Sequence, residues 1–201
     1  DTGGTIEFQN TINGGQDLTL TAGTGNVTLT GVVGGTNSLV AIDMVSAADV
    51  TANAITAASL TQQAGSGTTT FNGAIDTNDV AGVSITGTNL AVNSTTNTTA
   101  DGTVTFDQSG TATIAAAGDI TADGAVSVTA AGGISTAGDI TTTDDSVTLK
   151  SATTLTGNVV ISTGNGAGTV TFGDTLDSAG SARALTITGG SGDIYFGGAV
   201  G

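Results

Sequence analysis

The chain has 201 residues, of which seventeen are acidic and only two, Lys150 and Arg183, are basic, so its formal net charge is −15. Two isolated cations cannot form the basic patch that nucleic acids and anionic membranes require, so neither is predicted as a partner. The sequence has no histidine, cysteine, proline or tryptophan. The usual general base, the thiol nucleophile and any disulfide framework are therefore absent, and we predict no catalytic, metal-binding or cofactor-binding residues.

Short runs in which aliphatic residues alternate with threonine recur along the whole chain. This pattern predicts β-strands of three to five residues, with alternate side chains on opposite sides. The alternation and the low charged fraction, 9%, argue against disorder despite 33 glycines. In chain order, the clearest runs are residues 5–8, 17–21, 26–30, 39–43, 68–71, 82–86, 90–93, 103–106, 158–161, 169–172, 184–188 and 193–196.

Residues 47–64 are rich in alanine, which favours a helix. However, Val50, Ile55 and Leu60 recur every five residues, away from the spacing of an amphipathic helix, and threonines interrupt the stretch. We predict strands and turns here as well.

A period of 20 to 21 residues is clearest between residues 117 and 158, where GDIT at 118–121 returns at 138–141. Each period holds three short runs, which fits a parallel β-helix better than a sandwich with turns every 8–12 residues or so. We therefore predict an all-β fold, a parallel β-helix (β-solenoid) of about 9–10 coils and about 45 Å. The predicted stacked pairs are Ile120 on Ile140, Val126 on Val147, Val128 on Leu149 and Ile134 on Leu155.

Two further features suit such a solenoid. Proline is absent, as expected where every strand is central and needs its amide for pairing. Phe8, Phe71, Phe106 and Phe172 each end a Gly-Thr-x-x-Phe run, which predicts that they share one type of position in the coil.

The end of the chain repeats its beginning. GTIEF at 4–8 returns as GTVTF at 168–172, and LTLT at 18–21 returns as LTIT at 185–188. The offset rises from 164 to 167 residues, which places a three-residue insertion in 177–184. We interpret residues 1–201 as one β-solenoid segment in which 168–201 begin a second copy of a repeat of about 165 residues. Neither end looks like a polar cap, so we expect continuation into a longer chain or end-to-end stacking of copies.

The runs GNVTLTGVVGGT at 25–36 and GTTTFNGAID at 67–76 resemble the repeats of giant bacterial surface exoproteins, namely the filamentous-haemagglutinin-like proteins and related β-strand-repeat adhesins. This resemblance implies a right-handed β-helical shaft, secreted or displayed on the cell surface. We predict a non-catalytic extracellular shaft or filament segment whose partners are copies of itself and other cell-surface fibres.

The alternative from another class is a polysaccharide-binding or polysaccharide-cleaving β-helix. Hydrolases of this kind use paired carboxylates, and Asp144 with Asp145 or Asp174 with Asp177 are candidates. Against this reading, Tyr195 is the only tyrosine or tryptophan available to stack on a sugar ring.

Other motifs suggest functions less strongly. The run GGSGDIY at 189–195 is close to a calcium-binding nonapeptide, although its aspartate is one position early and the motif does not recur in tandem. Asp101, Asp119, Asp123 and Asp139 flank turns, where we expect each to bond its own backbone. Five Thr-x-Thr units, at 19, 28, 103, 169 and 186, allow an ice-binding solenoid if they share one face. Asn26, Asn93 and Asn97 lie in glycosylation sequons.

Overall fold

Parallel pairing between successive turns of the chain organises the whole structure. The computed structural model describes residues 3–201, and in them each strand pairs in parallel with strands about one turn away in sequence. The chain is an all-β solenoid of about nine turns, which confirms the predicted fold class. Paired residues of adjacent turns lie 18 to 26 residues apart in sequence, a wider range than the predicted 20 to 21.

The 24 strands form three long faces. Face A contains β1 (Ile6–Phe8), β3 (Val27–Leu29), β5 (Val50–Ala52), β7 (Thr68–Phe71), β10 (Asn89–Val92), β13 (Ala112–Ile114), β16 (Ile134–Thr136), β19 (Thr153–Leu155) and β22 (Leu176–Ser178). Face B contains the first half of β6 (Ile55–Gln62), then β8 (Ile75–Thr77), β11 (Thr96–Thr98), β14 (Ile120–Ala122), β17 (Ile140–Thr142), β20 (Val159–Ser162) and β23 (Leu185–Thr188). Face C contains β2 (Leu18–Thr21), β4 (Leu39–Ser46), the second half of β6, β9 (Val83–Gly87), β12 (Val104–Gln108), β15 (Val126–Ala130), β18 (Val147–Leu149), β21 (Val170–Phe172) and β24 (Ile194–Phe196).

The alanine-rich stretch is extended, as predicted, but its strands are longer than expected. The strand β6 runs for eight residues and pairs with β8 through Ile55 and with β9 through Leu60. It therefore joins faces B and C into one sheet. The strand β4 also has eight residues, so the predicted limit of five was wrong for both.

The core is a column of stacked aliphatic side chains inside the three faces. Along face C, Val83, Val104, Val126 and Val147 lie directly above one another and are at most 1% exposed. Alternate residues of each strand point inward because the pleat has a period of two.

Three of the four predicted stacked pairs are confirmed, namely Ile120 on Ile140, Val126 on Val147 and Val128 on Leu149. The fourth was wrong by two residues, because Ile134 pairs with Thr153 and Leu155 pairs with Thr136. A shift of two keeps every side chain on the same side, so the hydrophobic pattern could not exclude it.

The phenylalanines do not share one coil position, contrary to the prediction. Phe8 and Phe71 lie on face A, whereas Phe106 and Phe172 lie on face C. The Gly-Thr-x-x-Phe run therefore specifies a strand with an inward ring, and this strand is built on more than one face.

Two turns show why glycine is needed at some corners. Gly34 has φ +76°, and a Cβ atom there would lie 1.9 Å from the carbonyl oxygen of Thr56 in the next turn. Gly82 has φ +57°, and its Cβ would lie 2.1 Å from the carbonyl oxygen of Thr103. Any side chain at these positions would push adjacent turns apart.

The two copies of the long repeat lie one face out of step. The strand β1 belongs to face A, but its counterpart β21 belongs to face C. Likewise β2 belongs to face C, but its counterpart β23 belongs to face B. The chain visits the faces in the order A, B, C, so one long repeat is one face short of a whole number of turns. Asp1 and Thr2, at the start of the predicted segment, lie outside the described residues.

The stacked core predicts a large cost for emptying one inward position. Phe106 is 1% exposed and packs between Ile85 and Val128 in the stack. We expect Phe106→Ala to lower the free energy of unfolding in urea by about 3–5 kcal/mol. The outward-facing neighbour supplies the control, since Thr105→Ala should change it by less than about 0.5 kcal/mol. Equal losses for both variants would contradict the inward assignment.

Candidate functional site

The outward surface of face C is a continuous column of small hydroxyl side chains. One central outward residue per turn stacks on the next, and most are serine or threonine. In order they are Thr19, Asp43, Thr61, Ser84, Thr105, Ser127, Thr148, Thr171 and Tyr195. The column carries one charge, on Asp43.

The Thr-x-Thr units do not form the single-face array that ice binding requires. The units at 19, 103 and 169 lie on face C and are separated by several turns. The unit at 28 lies on face A, and the unit at 186 lies on face B. Their sequence similarity therefore does not correspond to one surface.

Aspartate and asparagine side chains at the corners link one turn to another. Asp119 Oδ1 accepts a hydrogen bond of 2.9 Å from the amide of Asp139, and Asp139 Oδ1 accepts one of 2.7 Å from the amide of Val160. Asp123 Oδ2 accepts a bond of 2.9 Å from the amide of Asp101. The expectation that Asp119, Asp123 and Asp139 bond their own local backbone was wrong, because their partners lie a full turn away.

The asparagines of the three sequons are engaged in the same way. Asn26 Oδ1 accepts a bond from the amide of Asp49 at 3.1 Å. Asn93 Nδ2 donates to Asn72 Oδ1 at 3.0 Å, and Asn97 Nδ2 donates to Asp76 Oδ1 at 2.8 Å. Each side chain therefore connects neighbouring turns.

The first candidate carboxylate pair has a structural partner. Asp144 Oδ1 accepts bonds from the amides of Asn165 and Gly166, at 2.9 and 2.6 Å. Asp144 also has φ +65°, a conformation that aspartate and asparagine adopt more readily than other side-chain-bearing residues. The carbonyl of Asp145 accepts a bond from the Thr142 hydroxyl. These contacts hold a corner against the next turn.

The second candidate pair lies on the surface near the last turns. Asp174 Oδ1 accepts from the amide of Thr175 and Asp177 Oδ1 from the amide of Ser178, both at 2.7 Å. Both residues are exposed, with Asp174 at a corner and Asp177 in β22. Each carboxylate therefore bonds the amide of the next residue on an exposed surface.

Residues 189–195, which resemble a calcium-binding nonapeptide in sequence, form a glycine turn. The amide of Gly192 donates to the carbonyl of Gly189 at 2.7 Å, and Gly190 has φ +53°. The Asp193 carboxylate accepts a bond of 3.0 Å from the Tyr195 hydroxyl. This bond and the negative charge of Asp193 raise the pKa of Tyr195 above its ordinary value. No group of three acidic, histidine or cysteine side chains suited to a metal occurs within residues 3–201.

The hydrophobic pattern did not reveal the polar groups inside the solenoid. Gln62 is fully buried between Met44 and Ile85 in the face C stack. Its side chain accepts from the Thr69 hydroxyl at 2.8 Å and donates to the carbonyl of Thr86 at 3.3 Å. A Cβ atom on Gly65 would lie 2.5 Å from Gln62 Nε2, so that glycine makes room for the amide.

Inward threonines at the end of face B form a second internal set. The hydroxyls of Thr98, Thr142 and Thr163 donate to the carbonyls of Gly102, Asp145 and Gly168 in the turns that follow. A buried hydroxyl costs free energy unless it is bonded, and these bonds fix the corner between faces B and C.

The surface of the described residues includes two hollows that bear on ligand binding. One, of about 180 Å³, lies on face B beside Thr56, Asp76 and Asn97. The other, of about 300 Å³, lies beside β23 and is lined by Leu155, Leu176, Arg183, Leu185, Phe196 and Val200, among others. The first is smaller than a usual ligand pocket, and the second is the uncovered end of the core.

No family model, curated protein or solved structure matches the chain. The resemblance to adhesin repeats therefore stays a prediction. The described residues contain no helix that is long and apolar enough to cross a membrane.

The corner role of Asp144 predicts a loss of stability on its removal. Asp144→Ala leaves two amides without their acceptor and places alanine at φ +65°, so we expect a loss of about 1–3 kcal/mol in urea unfolding. Asp144→Asn retains an acceptor oxygen and should lose much less. Asp107 is exposed in the middle of β12, and its carboxylate bonds no amide of a neighbouring turn, so Asp107→Ala is the neutral control. A loss in Asp107→Ala equal to that in Asp144→Ala would argue against the corner role.

The single tyrosine provides a direct test of the turn at 189–195. In Asp193→Asn the negative charge beside the hydroxyl is removed, so the pKa of Tyr195 should fall toward its ordinary value. Ultraviolet absorbance titration reports this residue alone, because the chain has one tyrosine and no tryptophan. Asp177→Asn is the control. Added calcium should leave the wild-type titration unchanged, and a calcium effect lost in Asp193→Asn would restore the metal-site reading.

Proposed function

We propose that this chain is a non-catalytic segment of an extracellular structural shaft, either a stalk of a giant repeat adhesin or a cell-surface fibre, and that it acts as a rigid spacer. The observation that carries this proposal is the continuous hydrophobic core, which runs from the first turns to β22 and lies inside three faces whose strands pair from turn to turn.

Rigidity follows from the three-sided cross-section. Bending the solenoid in any direction separates adjacent turns on at least one face, where backbone hydrogen bonds and stacked side chains hold them together. The corner bonds of Asp119, Asp139 and Asp144 add contacts at the edges between faces. The mechanical role needs no binding pocket.

Composition is compatible with a location outside the cell and favours weak lateral adhesion. A net charge of −15 keeps neighbouring shafts soluble through mutual repulsion. The lack of cysteine is compatible with many large bacterial surface proteins. Further copies of the same repeat are the partners that this role requires, joined end to end or within one polypeptide.

The location is tested by antibodies raised against the purified chain. They should bind intact, unpermeabilised cells of the source organism, and protease treatment of those cells should remove the signal. Binding only after permeabilisation would overturn the extracellular assignment.

The spacer role is tested on the purified chain against a panel of labelled polysaccharides. A shaft should be retained by none of them and release no reducing ends, and small-angle scattering should give a rod of about 45 Å. Saturable retention by one polysaccharide, lost in a variant of the face B hollow such as Asp76→Ala, would favour the glycan-binding alternative instead.

A further inference from the structure

The hollow on face B exists because one turn of the solenoid lacks a corner. In β6, only residues 58 and 59 separate the part that pairs with β8 from the part that pairs with β9. In the next two turns, the chain uses residues 78–82 and 99–103 to pass between the same two faces. These longer corners arch outward beyond β6, and the hollow of about 180 Å³ lies in the recess beside them. It therefore lies in the middle of the described chain, with paired turns on both sides.

The outward column of face B supplies the floor of this hollow. Thr56, Asp76 and Asn97 lie directly above one another in adjacent turns. Asn78 and Thr99, the first residues of the two longer corners, lie beside this column and complete the rim. The hollow is therefore lined by one carboxylate, two carboxamides and two hydroxyls.

One oxygen of the Asp76 carboxylate is bonded, and the other is open to a further donor. Asp76 Oδ1 accepts a bond of 2.8 Å from Asn97 Nδ2, which fixes the orientation of the carboxylate. No donor of the described residues bonds its Oδ2. Asp76 is half-buried in the centre of β8, so the charge of a bound cation is screened less there than at a fully exposed site.

No basic residue lies near this carboxylate in the part of the chain that the structure describes. The two basic residues, Lys150 and Arg183, follow β18 and precede β23, several turns away from β8. Asp79 and Asp101, in the two longer corners beside the hollow, add negative charge. The hollow therefore attracts cations and repels anions.

The oxygen atoms of the hollow favour a primary ammonium over a metal ion. Calcium and magnesium take about six or more oxygen ligands, and the single carboxylate here supplies few of them. An alkylammonium has one positive charge and three N–H donors, which match one carboxylate oxygen and the amide and hydroxyl oxygens around it. The methyl groups of Thr56 and Ala57 can contact its hydrocarbon stem. The volume suits such a head group with a short stem rather than a sugar chain.

We propose that the face B hollow binds a primary ammonium group on an alkyl stem, with Asp76 as its counter-ion. The lysine side chain of a partner protein and a free alkylamine share this chemistry. The site gives the side of the shaft a point of attachment for amine-bearing molecules. It goes beyond the spacer role, which requires no ligand.

The experiment titrates the full ¹⁵N-labelled chain with n-butylammonium chloride at constant ionic strength and follows its backbone amides by NMR. We expect saturable shifts confined to residues 56–57, 76–78 and 97–99, with a Kd of about 1 mM. Shifts confined to these three segments place the ligand in the hollow, because no other surface brings them together.

Two aspartate variants test the role of the charge. Asp76→Asn keeps the shape of the side chain and the acceptor for Asn97 but removes the charge, so it should weaken binding by about tenfold or more. Asp107→Asn on face C changes the net charge by the same amount and should alter the Kd by less than about twofold. Well-dispersed amide spectra of both variants check that the solenoid is intact.

Three further probes separate charge from shape and identify the source of the amine. n-Butanol has the same stem without the charge, and glucose has hydroxyls alone, so neither should produce saturable shifts at these amides. Nα-acetyl-lysine amide should bind as n-butylammonium does if the hollow accepts a protein side chain. Binding of n-butylammonium alone would assign the site to free alkylamines.

Three results would overturn the proposal. They are the absence of any saturable shift, an affinity unchanged in Asp76→Asn, and equal binding of n-butanol. Saturable binding of glucose without the amine would overturn it in favour of the glycan-binding alternative. Loss of the amine site by the first three results leaves the shaft proposal intact, because that proposal is judged by surface exposure, rod shape and the absence of glycan binding.

Discussion

Parallel hydrogen bonding between successive turns is the constraint on which the rest of this structure depends. Every strand except the first and last of each face must satisfy its amides and carbonyls with a strand above and a strand below, which leaves no place for proline. The same spacing stacks like residues, so inward positions such as Val104 and Val126 form an aliphatic column. Most outward positions on face C hold serine or threonine, whose side chains are small enough to stack at the short distance between adjacent turns.

The sequence predicted strands and fold class well, because alternation and a period near twenty are local signals. All twelve predicted runs overlap observed strands. The sequence pattern did not predict the register where two alternative registers bury the same residues. Ile134 stacks on Thr153 rather than Leu155, a shift of two that the alternating pattern cannot distinguish. The phenylalanine runs failed for a related reason, since an inward ring fits at Phe71 on face A and at Phe106 on face C.

The roles of the polar residues were harder to predict, because their partners are near in space and distant in sequence. Asp139 was interpreted as a local turn residue, yet its acceptor role is toward Val160. Gln62 gave no signal at all, because a buried amide inside an aliphatic stack depends on Gly65 and Thr69 to provide space and a donor. Such arrangements can be found only when the register between turns is already known. Several acidic residues of this chain accordingly accept hydrogen bonds from the backbone of an adjacent turn.

The one-face offset between β1 and β21 bears on how solenoids of this kind change during evolution. If strand-and-corner units are interchangeable among the three sides, gain or loss of one unit would rotate everything beyond it by a third of a revolution. The interior would keep its chemistry, and the exterior would point in a new direction. Length and azimuth are then adjusted by the same small genetic step, and a feature borne once per repeat would return to its starting side at every third copy.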